Sequence, residues 1–546
     1  MRIASLGQST TTSIRRCFAR PPAPPQPMTV IYHTSGTARP SAAMTAATTS
    51  QLPRPASASA PPLAASSSTK PLINLLRGWP APSLLPVEQL KAATADVLSD
   101  ASVVVDSLQY GPDSGFQPLR DQLASYLSST FADFGTPNDP ERICITGGAS
   151  QNAACILQSF TDPDYTACVW VSAPCYFLMC PIFEDSGFAG RLRAVPEDDE
   201  GTDVEALERG FQEHLSSSPS TVTYKTNLAP YRKAYRHIVY LVPASSNPSG
   251  RTMSLKRREQ LVRLARTYDA LLIADDVYDF LQWDVPRKGA SSSNDKDSGL
   301  ASKQASVSLP RPLPRLIDVD RMLPRDDDGN ASAESIRFGH AISNGSFSKI
   351  VAPGMRTGWV EAASDFAFGL AQTGSTKSGG APSQFGSAAI ASLMRTGELD
   401  RHLSEVVRPA LQWRHHLVAR AVETYLHEYV EILCGGVESA SSRAETYGGY
   451  FLWLKLRRSD ISAAALAKRA LVTENLVIAE GPLFKVKGDR HGPQFDEHIR
   501  LCFAWEDEAS LVEGVQRLAN VFQDWDKPQP EAPQGGMSES EMGAFK

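Results

Sequence analysis

Ser346-Phe347-Ser348-Lys349-Ile350-Val351-Ala352-Pro353-Gly354-Met355-Arg356-Thr357-Gly358-Trp359 is the stretch whose reading decides the rest of the chain. A lysine stands just past a short strand pattern, with hydroxyls three and one residues before it and an arginine seven residues after it. Pro353 and Gly354 supply a turn that brings Arg356 back toward Ser346 and Ser348. An amine, two hydroxyls and a guanidinium so spaced suit an imine to an aldehyde cofactor whose phosphate is held by serine and arginine. The competing reading is a lysine with no chemical role, and buried unpaired lysines of that kind are rare.

Bulk composition narrows the class. The chain has 546 residues, 42% hydrophobic and 21% charged, which predicts a soluble protein of two domains plus appendages. Net charge is −6, yet residues 1–70 carry six Arg, one Lys and no acid; removing that +7 leaves −13 for the remainder. An acidic body, with no helix-turn-helix pattern ahead of it, argues against nucleic acid as a partner. No run reaches the ~18–20 apolar residues that span a bilayer, so no membrane role is expected. The cysteines at 17, 144, 155, 168, 175, 180, 434 and 502 form no CxxC pair. Neither a zinc site nor a disulfide scaffold is therefore indicated, and a reducing compartment is expected.

Residues 1–70 are rich in Ser, Thr, Ala and Pro and read as a disordered extension. Arg2, Arg15, Arg16 and Arg20 among Ile3, Leu6, Ile14 and Phe18 give the composition of a mitochondrial transit peptide. A merely disordered leader is the alternative, so the expected location is mitochondrial or cytoplasmic. Segment 71–114 reads as an arm with a helix over 87–98. Over 115–370 helix patterns (119–128, 151–160, 255–268) alternate with strand patterns (143–145, 167–172, 237–242, 271–274), predicting crossover units and a largely parallel sheet. Two polar stretches, 214–235 and 286–314, interrupt it and are expected on the surface. Segment 371–525 follows, with a long helical region over 384–429, strands over 450–456, 476–478 and 498–503, and helices over 461–470 and 508–522. Residues 526–546 read as a disordered tail.

Five further segments add chemistry. Ile143-Cys144-Ile145-Thr146-Gly147-Gly148-Ala149-Ser150 runs from strand through a glycine turn into a helix, whose N-terminal amides can bind phosphate. Tyr176 emerges from a strand end, where an aromatic can stack on a pyridine ring. Asn247 lies in Ser246-Asn247-Pro248-Ser249-Gly250, which would also serve as a plain turn. Leu272-Ile273-Ala274-Asp275-Asp276-Val277-Tyr278 delivers carboxylates at the end of an apolar strand, and a carboxylate beside the ring nitrogen keeps it protonated and electron-withdrawing. A strand that ends in exposed acids is the competing view. Arg500 enters a strand in His498-Ile499-Arg500-Leu501-Cys502-Phe503, and its planar guanidinium suits an α-carboxylate clamp, against a surface salt bridge as the alternative.

Together these segments resemble the class I and II, fold-type I, pyridoxal-phosphate-dependent aminotransferases over roughly 71–525. Leu108-Gln109-Tyr110-Gly111-Pro112-Asp113, the Thr-Gly-Gly-Ala-Ser and Asp-Asp-Val-Tyr segments and Ser-Phe-Ser-Lys look closest to the fungal 2-aminoadipate or aromatic aminotransferase-like branch. The resemblance implies an α/β fold with a mostly parallel large domain and a smaller C-terminal α/β domain. It implies Lys349 as the catalytic, cofactor-bearing lysine, with Gly148, Ala149, Ser150, Ser346, Ser348 and Arg356 at the phosphate. Tyr176 would stack on the ring, Asp275 meet its nitrogen, and Asn247 and Tyr278 its phenolic oxygen. Gly78 and Arg500 would bind substrate, and Tyr110 would reach the phosphate of a neighbouring subunit, which implies a homodimer. No metal is called for. The expected reaction moves an α-amino group from an amino acid (2-aminoadipate, aromatic or similar) to a 2-oxo acid such as 2-oxoglutarate by a ping-pong path. A β-lyase or synthase on the same scaffold, or a non-catalytic protein of this fold, are the alternatives. The two polar insertions depart from the family pattern and leave substrate choice open.

Overall fold

The computed structural model describes residues 70–214, 224–226, 228–286, 310–324, 333–377, 382–433, 437–438 and 444–527. All lie within one compact unit, Leu52–Lys546. The leader over 1–69, residues 287–309 of the second insertion and the tail from 528 lie outside the described residues.

The organising element is an eight-stranded sheet. Its order is Ile143–Thr146, Gly358–Glu361, Ala341–Ser346, Ala270–Asp275, His237–Leu241, Cys168–Ala173, Leu192–Asp198 and Gly201–Thr202. Pairing is parallel from Ala341–Ser346 through to Leu192–Asp198. Gly358–Glu361 is antiparallel to both its neighbours, because only the turn after Lys349 separates it from the preceding strand. The central strands are buried along their whole length, so both faces must be covered.

Side-chain parity shows how. Trp170, Val239, Leu241, Leu272, Ala274 and Ala341 share one apolar cluster with residues of the helices Val204–Glu213, Leu255–Thr267 and Leu316–Met322. Val169, Val171, Ile238, Leu271, Ile273 and Ile342 join the other cluster, with Ala153, Ile156, Leu157 and Phe160 of helix Ala149–Phe160. Alternation with period two therefore places Asp275, in phase with Leu271 and Ile273, on the face that carries Tyr240. Asp276 falls out of phase.

A second, four-stranded antiparallel sheet runs Val430–Ile432, Phe451–Leu456, His498–Cys502, Ala479–Glu480. Helices Arg408–Tyr425, Ala463–Glu474 and Glu508–Gln523 accompany it. The arm strand Ile73–Asn74 pairs in parallel with Leu476–Val477, and Leu75 O accepts from Cys502 N at 2.8 Å.

Some expectations need correction. The long helical region over 384–429 is broken into Gln384–Arg395, Glu398–His402 and Arg408–Tyr425, with a wide turn at Leu403–Val407. Gly397, at φ +72°, ends the first helix in the left-handed conformation. The strand Leu192–Asp198 and helix Val204–Glu213 were not foreseen, nor was the pairing of Gln282–Pro286 with Ala444–Gly448. The insertion at 214–235 is not wholly a surface excursion: Lys233, Ala234 and Tyr235 are buried, with Tyr235 Oη donating to Gly339 O at 2.7 Å. Among the described residues no helix is long and apolar enough to cross a membrane.

Gly345 stands directly opposite Trp359 across the antiparallel pair, and a Cβ there would lie 2.1 Å from the indole. Gly345→Ala should therefore destabilise the protein by about 1–3 kcal/mol, the usual cost of forced repacking, read as a lowered denaturation midpoint. An unchanged midpoint would show that the indole is not seated on this strand.

Candidate active site

The C-terminal ends of the parallel strands open into a cavity of about 290 Å³. Strand ends are where an open parallel sheet presents its loops, so groups from several strands converge there. Asp275, the last residue of its strand, lines the cavity while only 4% exposed. Tyr240 Oη donates to its Oδ2 at 2.6 Å, and Asn344 Nδ2 lies 3.4 Å from its Oδ1. Asn344 is held in turn by Asn152 Nδ2 at 2.8 Å. Burial raises the Asp275 carboxyl to about 6, with the Tyr240 hydrogen bond and the Lys349 charge pulling the other way. Asp276 is buried as well and does not line the cavity, so the strand does not end in exposed acids.

Lys349 follows the strand Ala341–Ser346 and reaches into the same space. Its Nζ donates to Gly78 O at 2.7 Å and sits 5.0 Å from the centre of the Tyr450 ring. Burial lowers the amine to about 8, because the enclosed site disfavours the ammonium form. Arg500 shows the same effect, lowered by burial to about 10. Its Nη1 donates to Asn247 Oδ1 at 2.6 Å, and its Nη2 donates to Leu76 O. The guanidinium lies against the Phe451 ring at 3.9 Å, and its Nε is buried without a hydrogen-bond partner. Two cations therefore share a confined space, each held largely by backbone carbonyls and rings.

At the other end Ala149 and Ser150 open helix Ala149–Phe160, with Gly148 as its N-cap at φ +100°. A Cβ on Gly148 would lie 3.0 Å from Arg356 Nη2, so glycine keeps this corner open. Arg356 itself takes φ +49° after the turn Pro353–Met355, which aims its Nη2 at Gly147 O, 2.9 Å away. Ser346 Oγ donates to Ser348 Oγ at 3.0 Å. Amides, two hydroxyls and a guanidinium thus ring one corner of the cavity, a donor set made for a phosphate.

Gly78, Ala149, Ser150, Tyr176, Asn247 and Asp275 all line this cavity, as do Tyr278, Ser346, Ser348, Lys349, Arg356 and Arg500. Burial raises the Tyr176 phenol to about 12 and the Tyr278 phenol well above its ordinary value, so both stay neutral donors. Gly148 is buried, approached by Arg356, and does not itself line the cavity. Tyr110 is the exception: it is 85% exposed and outside the cavity. Sequence reading missed Tyr240, Asn344 and Asn152, and the apolar wall of Leu76, Trp79, Phe177, Leu178 and Phe451. For Asn344 a signal existed, a polar residue inside a strand pattern two residues before Ser346.

The chain matches the family described as aminotransferase class I and II over residues 71–518. It is 30% identical over 439 residues to the uncharacterised protein YER152C of Saccharomyces cerevisiae, covering 76% of this chain and 89% of that one. It is 26% identical over 456 residues to aromatic-amino-acid aminotransferase 1 of Thermococcus litoralis, covering 84% of this chain and 89% of that one. The crystal structure of a kynurenine aminotransferase from Pyrococcus horikoshii superposes with a TM-score of 0.62 at 25% identity, covering 84% and 93% of the two chains. A phosphate corner, a buried acid and a lysine of lowered basicity on one strand-end edge are what such a cofactor requires, and on this ground the chain belongs to the class I and II aminotransferases, pyridoxal-phosphate-dependent enzymes of fold type I.

Proposed function

We propose that the chain transfers the α-amino group of an amino acid to a 2-oxo acid, with Lys349 as the catalytic residue and Arg500 as the carboxylate clamp. The observation that carries this reading is the lysine amine, lowered to about 8 by burial and sharing one cavity with the buried Asp275. When bound, pyridoxal phosphate supplies an aldehyde for covalent attachment and an electron-withdrawing ring that stabilises the substrate carbanion. Arg356, the hydroxyls of Ser346 and Ser348 and the amides of Ala149 and Ser150 would hold its phosphate. Asp275 would face its ring nitrogen, and Tyr176 its ring. Because Asn247 Oδ1 is occupied by Arg500, its Nδ2 is the end left to donate, which suits the phenolic oxygen alongside Tyr278.

Arg500 grips the substrate α-carboxylate, which fixes the α-carbon near Lys349. The buried Asn247 and Leu76 contacts keep the guanidinium pointed into the cavity, so little orientation is lost on binding. Lys349 Nζ then takes the α-proton as a base, and its lowered pKa places it close to neutrality, where general bases work best. A second 2-oxo acid, such as 2-oxoglutarate, reverses the path and gives ping-pong kinetics. The proposal includes a homodimer, supported by Tyr110, whose exposed phenol outside its own cavity suits the phosphate corner of a partner subunit. It also includes the division at 115–370 and 371–525, supported by the eight-stranded sheet falling wholly within the first and the four-stranded sheet within the second, while the pairing of Gln282–Pro286 with Ala444–Gly448 joins them. The acid-free, arginine-bearing leader supports a mitochondrial location over a cytoplasmic one.

Two predictions follow from the paired charges. Lys349→Ala should lower amino transfer by at least about 10²–10⁴-fold, the scale of a lost general base. Borohydride reduction of the loaded wild type should leave the pyridoxyl label on Lys349; label elsewhere, or transfer retained by the variant, would sink the assignment. In cofactor-free protein, capture of pyridoxal phosphate should rise through pH of about 8, where the neutral amine forms, and level off above it. A rise centred on the ordinary lysine value of 10.5 would contradict the burial argument.

Asp275 gives the opposite sign. Its folded pKa is raised to about 6 from 3.8, so the cost of burying the carboxylate is absent below 3.8 and fully present above about 6. At pH 7.5 Asp275→Asn should stabilise the cofactor-free protein by on the order of 1–3 kcal/mol. The same variant should gain less thermal stability than wild type when pyridoxal phosphate is added, because the ring nitrogen loses its counter-charge. Melting curves with and without cofactor check both halves.

A further inference from the structure

We infer that Trp79 is the residue that selects the substrate side chain, that Arg77 positions it, and that the preferred donors are α-amino acids with aromatic or large apolar side chains rather than dicarboxylic ones. The inference rests on the amino-transfer reading above and deepens it. It starts from the charges in the cavity. Arg356 belongs to the phosphate corner, Asp275 to the ring nitrogen, Arg500 to the α-carboxylate and Lys349 to the chemistry. Beyond these and the residues placed at the cofactor above, the lining is apolar: a wall of Leu76, Trp79, Phe177, Leu178 and Phe451, with Gly78, Val242, Val277 and Pro353 also lining the cavity. Among the described residues this wall carries no cation, and its one side-chain polar atom is the indole nitrogen of Trp79. A distal carboxylate placed against it would lose its hydration without gaining a counter-charge. An aromatic or branched apolar side chain would instead cover the indole, which is 45% exposed as it stands.

The wall is built, not incidental. The Arg77 guanidinium lies 4.7 Å from the Trp79 ring centre and 5.0 Å from that of Trp505, a cation packed against two indoles. The indoles meet edge to face, with centroids 5.8 Å apart at 85°. The backbone beneath is tied down on both sides. Leu76 N and Arg77 N each donate to Asn74 Oδ1 at 3.0 Å, and Asn74 N donates to Glu506 Oε1 at 2.9 Å. Ala81 N donates to Ala504 O at 2.9 Å. Leu76 O accepts from Arg500, so the segment that carries Trp79 is joined to the carboxylate clamp itself. Arg77 does not line the cavity and acts through Trp79, as a positioning residue.

The test compares phenylalanine, alanine and 2-aminoadipate in the donor half-reaction, followed as loss of the cofactor's aldehyde form so that no acceptor is needed. Binding of 3-phenylpropanoate and hexanedioate is measured beside it by calorimetry, on wild type, Trp79→Phe, Trp79→Ala and Arg77→Met. Wild type should favour phenylalanine over 2-aminoadipate and 3-phenylpropanoate over hexanedioate. Trp79→Ala should cut the phenylalanine-to-alanine preference by roughly tenfold, mostly through KM, and Trp79→Phe should restore most of it. Arg77→Met should lose part of the preference and shift indole fluorescence, with kcat for alanine the least affected parameter. Equal losses for phenylalanine and alanine in Trp79→Ala would overturn the inference, as would tighter binding of hexanedioate in wild type. Trp79→Phe, which keeps an aromatic ring in place, guards against a merely misfolded Trp79→Ala. If no donor reacts, amino transfer itself fails, and the two acid ligands still decide whether the wall is apolar-selective.

Discussion

Everything at the active site depends on the register of two parallel strands. Ala270–Asp275 and Ala341–Ser346 are paired so that Asp275 stands opposite Asn344. A parallel pair carries both chains out of the sheet at the same edge, so the acid that ends one strand and the lysine that follows the other must meet there. A slip by one residue would turn Asp275 to the face that Asp276 now takes. The register is itself pinned by side chains: Asn344 bridges Asp275 and Asn152, linking strand, strand and helix in one buried polar chain. Buried amides of this kind are costly unless satisfied, which makes the alternative registers poorer.

The arm is the second structural condition. Its strand Ile73–Asn74 pairs with Leu476–Val477 in a two-stranded sheet of their own, and Leu76, Gly78 and Trp79 of the chain that follows line the cavity. Leu76 O receives Arg500 and Gly78 O receives Lys349, so two neighbouring carbonyls partner both functional cations. Gly78 is the residue that allows this approach, since a Cβ there would lie 2.8 Å from the Phe451 ring. A neutral carbonyl is a weaker partner than a carboxylate, so it holds the amine in place while favouring the ammonium form less than a carboxylate in the same position would.

What was legible in the sequence was local. Lys349, Asp275 and Asn247 each sit in a short segment whose pattern is tied to its chemistry, while the resemblance, through the acid's place three residues before Tyr278, separates Asp275 from Asp276 and singles out Arg500. What was not legible depended on pairing across distance. Tyr240 meets Asp275 only because His237–Leu241 pairs in parallel with Ala270–Asp275, and no local pattern at 240 announces it. The strand Leu192–Asp198 hides behind Arg193 and Pro196, which an outer strand tolerates better than a central one. Gln282–Pro286 finds its partner in Ala444–Gly448, a pairing that no hairpin rule reaches. The broken helices after Gln384 were a period error of a different kind: apolar spacing continued past Gly397 while the backbone did not.

The charge arrangement explains why such a site is stable only as a whole. Lys349 and Arg500 are both pulled down by burial, and Asp275 is pushed up. Burial therefore makes the charged form of each costlier than it would be in water, a cost that the packing of sheet and arm offsets. At buried Arg315 the fold does the reverse and brings opposite charges together. Arg315 Nε lies 2.9 Å from Asp318 Oδ2, and its Nη1 lies 2.7 Å from Glu361 Oε2, off the hydrogen-bonding line yet close enough for strong attraction. Charges of opposite sign thus meet where the protein needs rigidity and are kept apart where it needs reactivity. Under the proposed reading, a ligand that brings a phosphate, a protonated ring nitrogen and an α-carboxylate would supply a counter-charge to Arg356, Asp275 and Arg500 respectively, so cofactor and substrate would complete the electrostatic balance of the cavity.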